Sequence, residues 1–328
     1  MTGAPAIRRT HLVARFDASR VATLDELVPL EYARAVDASL PAHVRAASAL
    51  RQFRNRLVIV QDDINALAVR DSSGAVRPVL LPAHASGKRA FDDTLGNKHD
   101  KLDLEACVTL SDGRLVAFGS GSTPEREQLV VWDGRAAPSI VDASALYRDL
   151  RAAVVRDAAR LNVEGAVVRG GRLELFHRGN DARDAARAPV NAIAELSCDE
   201  FAAWLSGPGV RSPRIRRVTT VELGDVRGVP FGFTDAVALD SERIVVLACA
   251  EDSACAISDG AVLGCRIGLL DEHGLCTVDV CDAAGQRTLL KLEGIERREG
   301  SSFEFDVAVD VDLPAAPAQL GRVVWEWH

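Results

Sequence analysis

Residues 161–181 read LNVEGAVVRGGRLELFHRGND: an apolar run at 166–168, two glycines, and a second apolar run at 173–176. Gly-Gly between two apolar runs predicts a tight β-hairpin, because both turn residues can take positive φ. An antiparallel hairpin brings its open ends together, so Glu164 at the start should lie near Arg178, Gly179 and Asn180 at the exit. The same pattern recurs along the chain. Counted from Glu164, apolar residues stand at +9 (Leu173) and +12 (Phe176); from Asp235 these offsets give Ile244 and Leu247, and from Ser48 they give Leu57 and Val60. Glu105 needs one more residue for its Ser111-Asp112-Gly113 turn and reaches Leu115 and Phe118. Glu293 reaches Phe303 and Phe305 past a turn at Glu299-Gly300-Ser301-Ser302.

Five hairpins therefore start at 48, 105, 164, 235 and 293, with spacings of 57, 59, 71 and 58 residues. A long period with several strands per unit predicts an all-β fold, a single closed β-propeller over residues 1–328. Five blades are favoured, or six if 21–47 adds a degenerate blade. Residues 1–9 read as a loose terminus. Residues 23–47 fit a short helix or irregular strands equally well. Short helical insertions are expected at 143–160 (ASALYRDLRAAVVRDAAR), a connecting helix, and at CDEFAAWL after the third hairpin. The last unit is a strand short, and an N-terminal strand such as HLVARF (11–16) would complete it without leaving a free sheet edge.

Composition narrows the function classes. A net charge of −8 without a basic stripe argues against a nucleic-acid surface. No apolar run is long enough to span a membrane as a helix. The first residues, MTGAPAIRRTHLVARFD, hold no apolar signal core, so a cytoplasmic location is expected. Five of the seven cysteines lie between 249 and 281 without a CxxC pair, which predicts reduced, buried strand thiols rather than zinc.

Taken in order, SALRQFRNRLVIVQDDINALAV, LEACVTLSDGRLVAFGS, LNVEGAVVRGGRLELFHR, GVPFGFTDAVALDSERIVVLACAED and LLKLEGIE resemble the calcium-activated nucleotidases of the apyrase family. The resemblance runs over residues 48–296. It implies a five-bladed propeller with calcium on its axis and hydrolysis of nucleoside di- and triphosphates. That family carries Ser, Glu, Glu, Ser, Glu at the hairpin starts. The matching residues here are Ser48, Glu105, Glu164, Asp235 (or Thr234 beside it) and Glu293. The chain departs from the family where Asp62-Asp63 is followed by Ile64-Asn65-Ala66 rather than Arg-Thr-Gly, where Ala106 replaces a tryptophan, and where Arg178 stands without a second arginine. A looser resemblance links the LEG and VEG starts to the esterase-like phytase propellers.

The chemistry follows from convergence. Equivalent positions on the innermost strands of a propeller meet at its axis. Carboxylates about 5 Å apart repel by roughly 3 kcal/mol per pair at an effective dielectric near 20. Their pKa values must rise, or a cation must sit among them. Oxygen donors alone suit Ca²⁺ at Ser48, Glu105, Glu164, Asp235 and Glu293. The hairpin exits return to the same end, bringing Asp62 and Asp63 as water-orienting acids, with Lys101 and Arg178 as charge-neutralising groups. Ser120, Ser122, Asn180, Glu251 and Asp252 would bind a small anionic substrate there; Ser120 and Ser122 lie in a GSGST run able to offer backbone N–H groups. Two function classes stay open: a metal-dependent hydrolase of phosphate esters or anhydrides, with a lactone or carboxylic ester hydrolase as its variant, and a non-catalytic binding propeller with a structural calcium ion.

Overall fold

Runs such as LVIV at 57–60 and IVVLACA at 244–250 are buried along their whole length. Strands of this kind need cover on both faces, and the chain supplies it by packing sheet against sheet around a common axis as a β-propeller. The computed structural model describes residues 6–34, 39–155, 160–179, 190–207, 210–252 and 260–327. Two four-stranded antiparallel sheets come first: Ala47–Phe53, Arg56–Gln61, Ala66–Arg70 and Val76–Leu80, then Leu104–Thr109, Leu115–Gly119, Gln128–Trp132 and Ser139–Asp142. The third sheet holds Val163–Arg169, Arg172–His177, Asn191–Ser197 and Ile215–Glu222. The fourth runs outward from Val229–Ala238 to Gly274–Cys281 and is continuous, through Arg15–Pro29, with Gln319–Val324, Glu304–Asp310 and Lys291–Arg297. The inner strands Ala47–Phe53, Leu104–Thr109, Val163–Arg169, Val229–Ala238 and Lys291–Arg297 each lie beside the next, and the last returns to the first.

The N-terminal segment closes the fold differently from the sequence expectation. Arg8–Val13, which contains the first half of HLVARF, adds in parallel to the outer edge of the third sheet. The strand that joins the last sheet is Arg15–Pro29, parallel to Gly274–Cys281 in its first half and antiparallel to Gln319–Val324 in its second. The reason is packing: Ala22 and Leu24 are buried among Val278, Val280 and Val323, whereas His11 and Val13 face outward. The described part of 21–47 therefore builds no sheet of its own. The connecting helix is Ser144–Val154, with Leu146, Tyr147 and Leu150 buried. A second correction concerns the thiols. Cys249 and Cys265 stand opposite each other in register and form a disulfide, a pairing that linear spacing conceals. Cys107, Cys198, Cys276 and Cys281 are free, and Cys255 lies outside the described residues.

Every inner strand carries a break in register. The breaks fall between Ala47 and Ala49, Leu104 and Ala106, Val163 and Gly165, Phe233 and Asp235, and Leu292 and Ile295. A bulge inserts an extra residue and re-aims its side chain. The extra residues are Ser48, Glu105, Glu164 and Thr234, with Glu293-Gly294 in the last strand. The residue after Ser48, Glu105, Glu164 and Glu293 is alanine or glycine, where neighbouring backbones close in: a Cβ on Gly294 would lie 2.8 Å from the Leu50 nitrogen, and one on Gly165 would lie 3.1 Å from Asp235 Cα.

Below the bulges, Arg51 plugs the axis. Its Nε donates to the Cys107 carbonyl at 2.9 Å, its Nη1 to Glu296 at 3.3 Å, and its Nη2 to the Ala166 and Ala236 carbonyls at 3.4 and 3.3 Å. The Asp235 carboxylate stands 3.8 Å from Nη2. One side chain of the first inner strand thus bonds to the other four. Arg51→Met keeps the bulk of the stem and removes the fork, leaving Glu296 and several carbonyls short of a donor. Breaking a buried charge pair from one side costs about 3–5 kcal/mol. The urea midpoint of Arg51→Met is expected to fall accordingly; an unchanged midpoint would contradict the plug.

Candidate metal centre

Above Arg51 the bulges open into a cavity of about 290 Å³. Ser48, Glu105, Glu164 and Glu293 line it, each delivered by the bulge of its own inner strand. Asp235 does not line it. In the fourth inner strand the extra residue is Thr234, and Asp235 is the following one, fully buried, accepting a hydrogen bond from the Ile295 N–H at 2.9 Å. Thr234 occupies the fifth equivalent position, buried, with its hydroxyl lacking a partner.

The cavity is acidic. Among the described residues, eleven carboxylates line it: Asp62, Asp63, Asp92, Asp93, Asp103, Glu105, Glu164, Glu251, Glu293, Asp310 and Asp312. Six cations of the described residues face them, and all six are already paired. Arg45 holds Asp63 at 2.5 Å and Asp92 at 3.2 Å. Lys98 holds Asp93, and Arg126 holds Asp103 at 2.8 Å. Lys101 bridges Asp62 and Asp103, 2.6 Å from each. Lys291 lies 3.4 Å from Glu293 and 3.2 Å from Asp312. The stem of Arg178 lies over Gly232, where a Cβ would meet its Cγ at 2.7 Å. Its guanidinium reaches Glu251 at 2.8 Å, Glu164 at 3.6 Å and Glu293 at 4.0 Å.

Oxygen atoms are left over. Asp62 Oδ1, Asp63 Oδ1 and Glu293 Oε2 are buried without a donor, and Glu105 has no hydrogen-bond or ion-pair partner among the described residues. Oxygens of Asp62, Asp103 and Glu105 lie within 4.8 Å of one another, a separation that one metal ion can span. Burial pushes the Glu164 carboxyl up to about 7, with Arg178 and Lys291 opposing the rise, and Glu293 up to about 8. Asp63 rises to about 7 through burial and the charge of Asp62, and Asp310 to about 8 through burial. Glu105 lies well above the usual carboxylate range through burial and the charges of Glu164, Asp62 and Asp103. Burial opposes the Lys101 charge, yet Asp103 and Asp62 hold the ammonium well above its usual value.

The predicted exit residues divide. Asp62, Asp63, Lys101, Arg178 and Glu251 line the cavity. Ser120 and Ser122 do not: their hydroxyls engage Asp103, each other and Arg126, so the GSGST run braces an acid instead of cradling an anion. Asp252 is exposed and off the cavity, and Asn180 lies outside the described residues. Arg45, Asp92, Asp103, Asn162, Lys291 and Asp310 line it without having been singled out from the sequence. A signal for three of them existed. Asp103, Asn162 and Lys291 each stand two residues before a bulge glutamate, and an extended strand returns every second side chain to one face.

Among solved structures, a GH43 β-1,3-galactosidase superposes with a TM-score of 0.52 at 9% identity, over 92% of this chain and 61% of that one. The chain thus spans about three-fifths of the galactosidase's length, and the likeness is one of fold alone. Myxococcus xanthus glutaminyl cyclase aligns at a TM-score of 0.43 and 14% identity, over 97% of this chain and 99% of that one. Staphylococcus aureus virginiamycin B lyase aligns at 0.42 and 8% identity, over 93% and 100%. No curated protein sequence matches the chain. A family model described as a family of unknown function (DUF6929) matches residues 43–324.

The raised carboxyls set a pH dependence. A carboxyl whose pKa is higher in the folded state keeps a proton that the unfolded chain releases, so its contribution is full below pH 4 and is lost as pH rises through 7 to 8. Each such group changes stability by at most about 1.4 kcal/mol per pH unit. In chelator, Tm should fall between pH 5.5 and pH 8.5. A flat or rising Tm over that window would show that the carboxyls are not raised.

Proposed function

The chain belongs to the family of unknown function DUF6929, and we propose that it is a calcium-binding β-propeller, one unit of five blades, with the ion held at the axis above Arg51. The circuit of five inner strands supports the blade count. The observation that carries the metal is the leftover oxygens, since buried acceptors without donors are costly unless a cation or water meets them. Ser48, Glu105, Glu164 and Glu293 would hold the ion. Hard oxygen donors, with no histidine or cysteine among the described residues that line the cavity, suit calcium rather than a transition metal. A bound cation would also offset the burial that keeps the Glu164 and Glu293 protons on.

A second reading is favoured by the placement of Arg178 and Lys291 on the same cavity wall: metal-dependent hydrolysis of a small phosphate ester or anhydride, as the nucleotidase resemblance implies. A bound calcium ion would polarise a phosphoryl oxygen. Arg178 would bind the anion in bidentate fashion, and Asp62 or Asp63 would orient water. This reading asks more of the site, because every lining cation among the described residues already has a carboxylate partner.

Calorimetric titration of chelator-stripped protein with calcium is expected to show a saturable site and a calcium-dependent rise in Tm. Glu293→Gln should weaken calcium at least ten-fold while leaving the far-UV spectrum unchanged. Neither heat nor Tm shift in the native protein would end the calcium reading. Phosphate release from a nucleoside diphosphate in calcium but not in EGTA would support the second reading, with Arg178→Lys lowering kcat more than it raises KM. No calcium-dependent turnover leaves the binding propeller.

A further inference from the structure

The Asp62–Asp103–Glu105 triad is a ready-made cation seat, and the structure shows what fills it. Two oxygens on opposite sides of a calcium ion, each about 2.3–2.6 Å away, would lie about 4.6–5.2 Å apart. The three acids present oxygens within 4.8 Å of one another. Between two of them lies the Lys101 ammonium, 2.6 Å from Asp62 and 2.6 Å from Asp103, on a side chain only 8% exposed. The seat does not depend on the lysine for its shape. Asp103 is fixed from behind by Arg126 at 2.8 Å and by the Ser120 hydroxyl, and the Asp62 N–H donates to the Ala46 carbonyl at 3.0 Å. Asp62 Oδ1 still lacks a donor, and Glu105 belongs both to the triad and to the axial ring.

Resting on the calcium reading above, we propose that Lys101 is a built-in cation that occupies a second metal position and so limits the cavity to one divalent ion. A lysine ammonium carries a single charge with fixed reach, while a divalent ion would draw in Glu105 as well, whose two oxygens can serve both positions. The consequence for chemistry is definite. Two-metal catalysis needs a pair of ions about 3.5–4 Å apart, and a chain that spends one of the two seats on its own lysine can supply only one-ion chemistry.

Calcium stoichiometry tests this directly, by equilibrium dialysis of chelator-stripped protein at pH 8. The native protein should retain one ion per chain, Lys101→Met two, and Lys101→Arg, which keeps the charge, one. Lys101→Gln, close in length and still able to hydrogen-bond, is the second neutral variant and should also retain two. Two ions on the native protein, or one on both neutral variants, overturns the proposal while leaving the axial site intact. No ion on the native protein removes the axial reading instead; the role of Lys101 then stands if the neutral variants take one ion and falls if they take none. Should the neutral variants fold only in calcium, two ions retained after desalting supports the proposal, and one or none overturns it.

Discussion

The Arg51 guanidinium is bonded to strands drawn from every part of the chain. Its partners Cys107, Ala166, Ala236 and Glu296 are separated by up to 245 residues from Arg51 itself, yet all are backbone or carboxylate acceptors within reach of a single planar fork. Only a side chain with donors in several directions can satisfy them together, and a lysine's point charge would not. The bond set closes one end of the axis and fixes how far the inner strands stand apart. That spacing in turn decides where the bulge residues meet on the other side.

With the inner strands held at that distance, any charge placed at a bulge is multiplied around the ring. Three of the five equivalent positions are glutamates, and among the described residues the walls above them carry more acids than bases. Like charges about 5 Å apart cost roughly 3 kcal/mol per pair at an effective dielectric near 20. The chain answers with three devices at once. Lys101, Arg178 and Lys291 are pulled in among the carboxylates, several acids keep their protons to pH 7 or 8, and some oxygens are left without partners. The leftover oxygens are the part that a divalent cation would complete.

Much of this was legible in the residues. The offset between a polar start and a pair of apolar residues found the inner hairpins, because an antiparallel pair with a short turn has a fixed length. It found Ser48, Glu105, Glu164 and Glu293 for the same reason. It misplaced the fourth start by one residue, since the bulge falls on Thr234 and a one-residue shift sends Asp235 to the other face, against Ile295 and Arg51. Ser120 and Ser122 misled because a small polar run serves equally well to brace a buried acid. What no linear pattern could reveal were the partners across the fold: Arg51 on four strands, Cys249 opposite Cys265, and the N-terminal strand laid between two distant edges.

The bulge residues are placed to converge on one cation. Diffraction from crystals grown in calcium, with anomalous data from a terbium-soaked partner crystal, tests it most directly. One strong peak is expected on the axis above Arg51, with oxygens of Ser48, Glu105, Glu164 and Glu293 around it, directly at about 2.3–2.6 Å or through water. An axis holding only water, with the metal bound elsewhere or not at all, would contradict it.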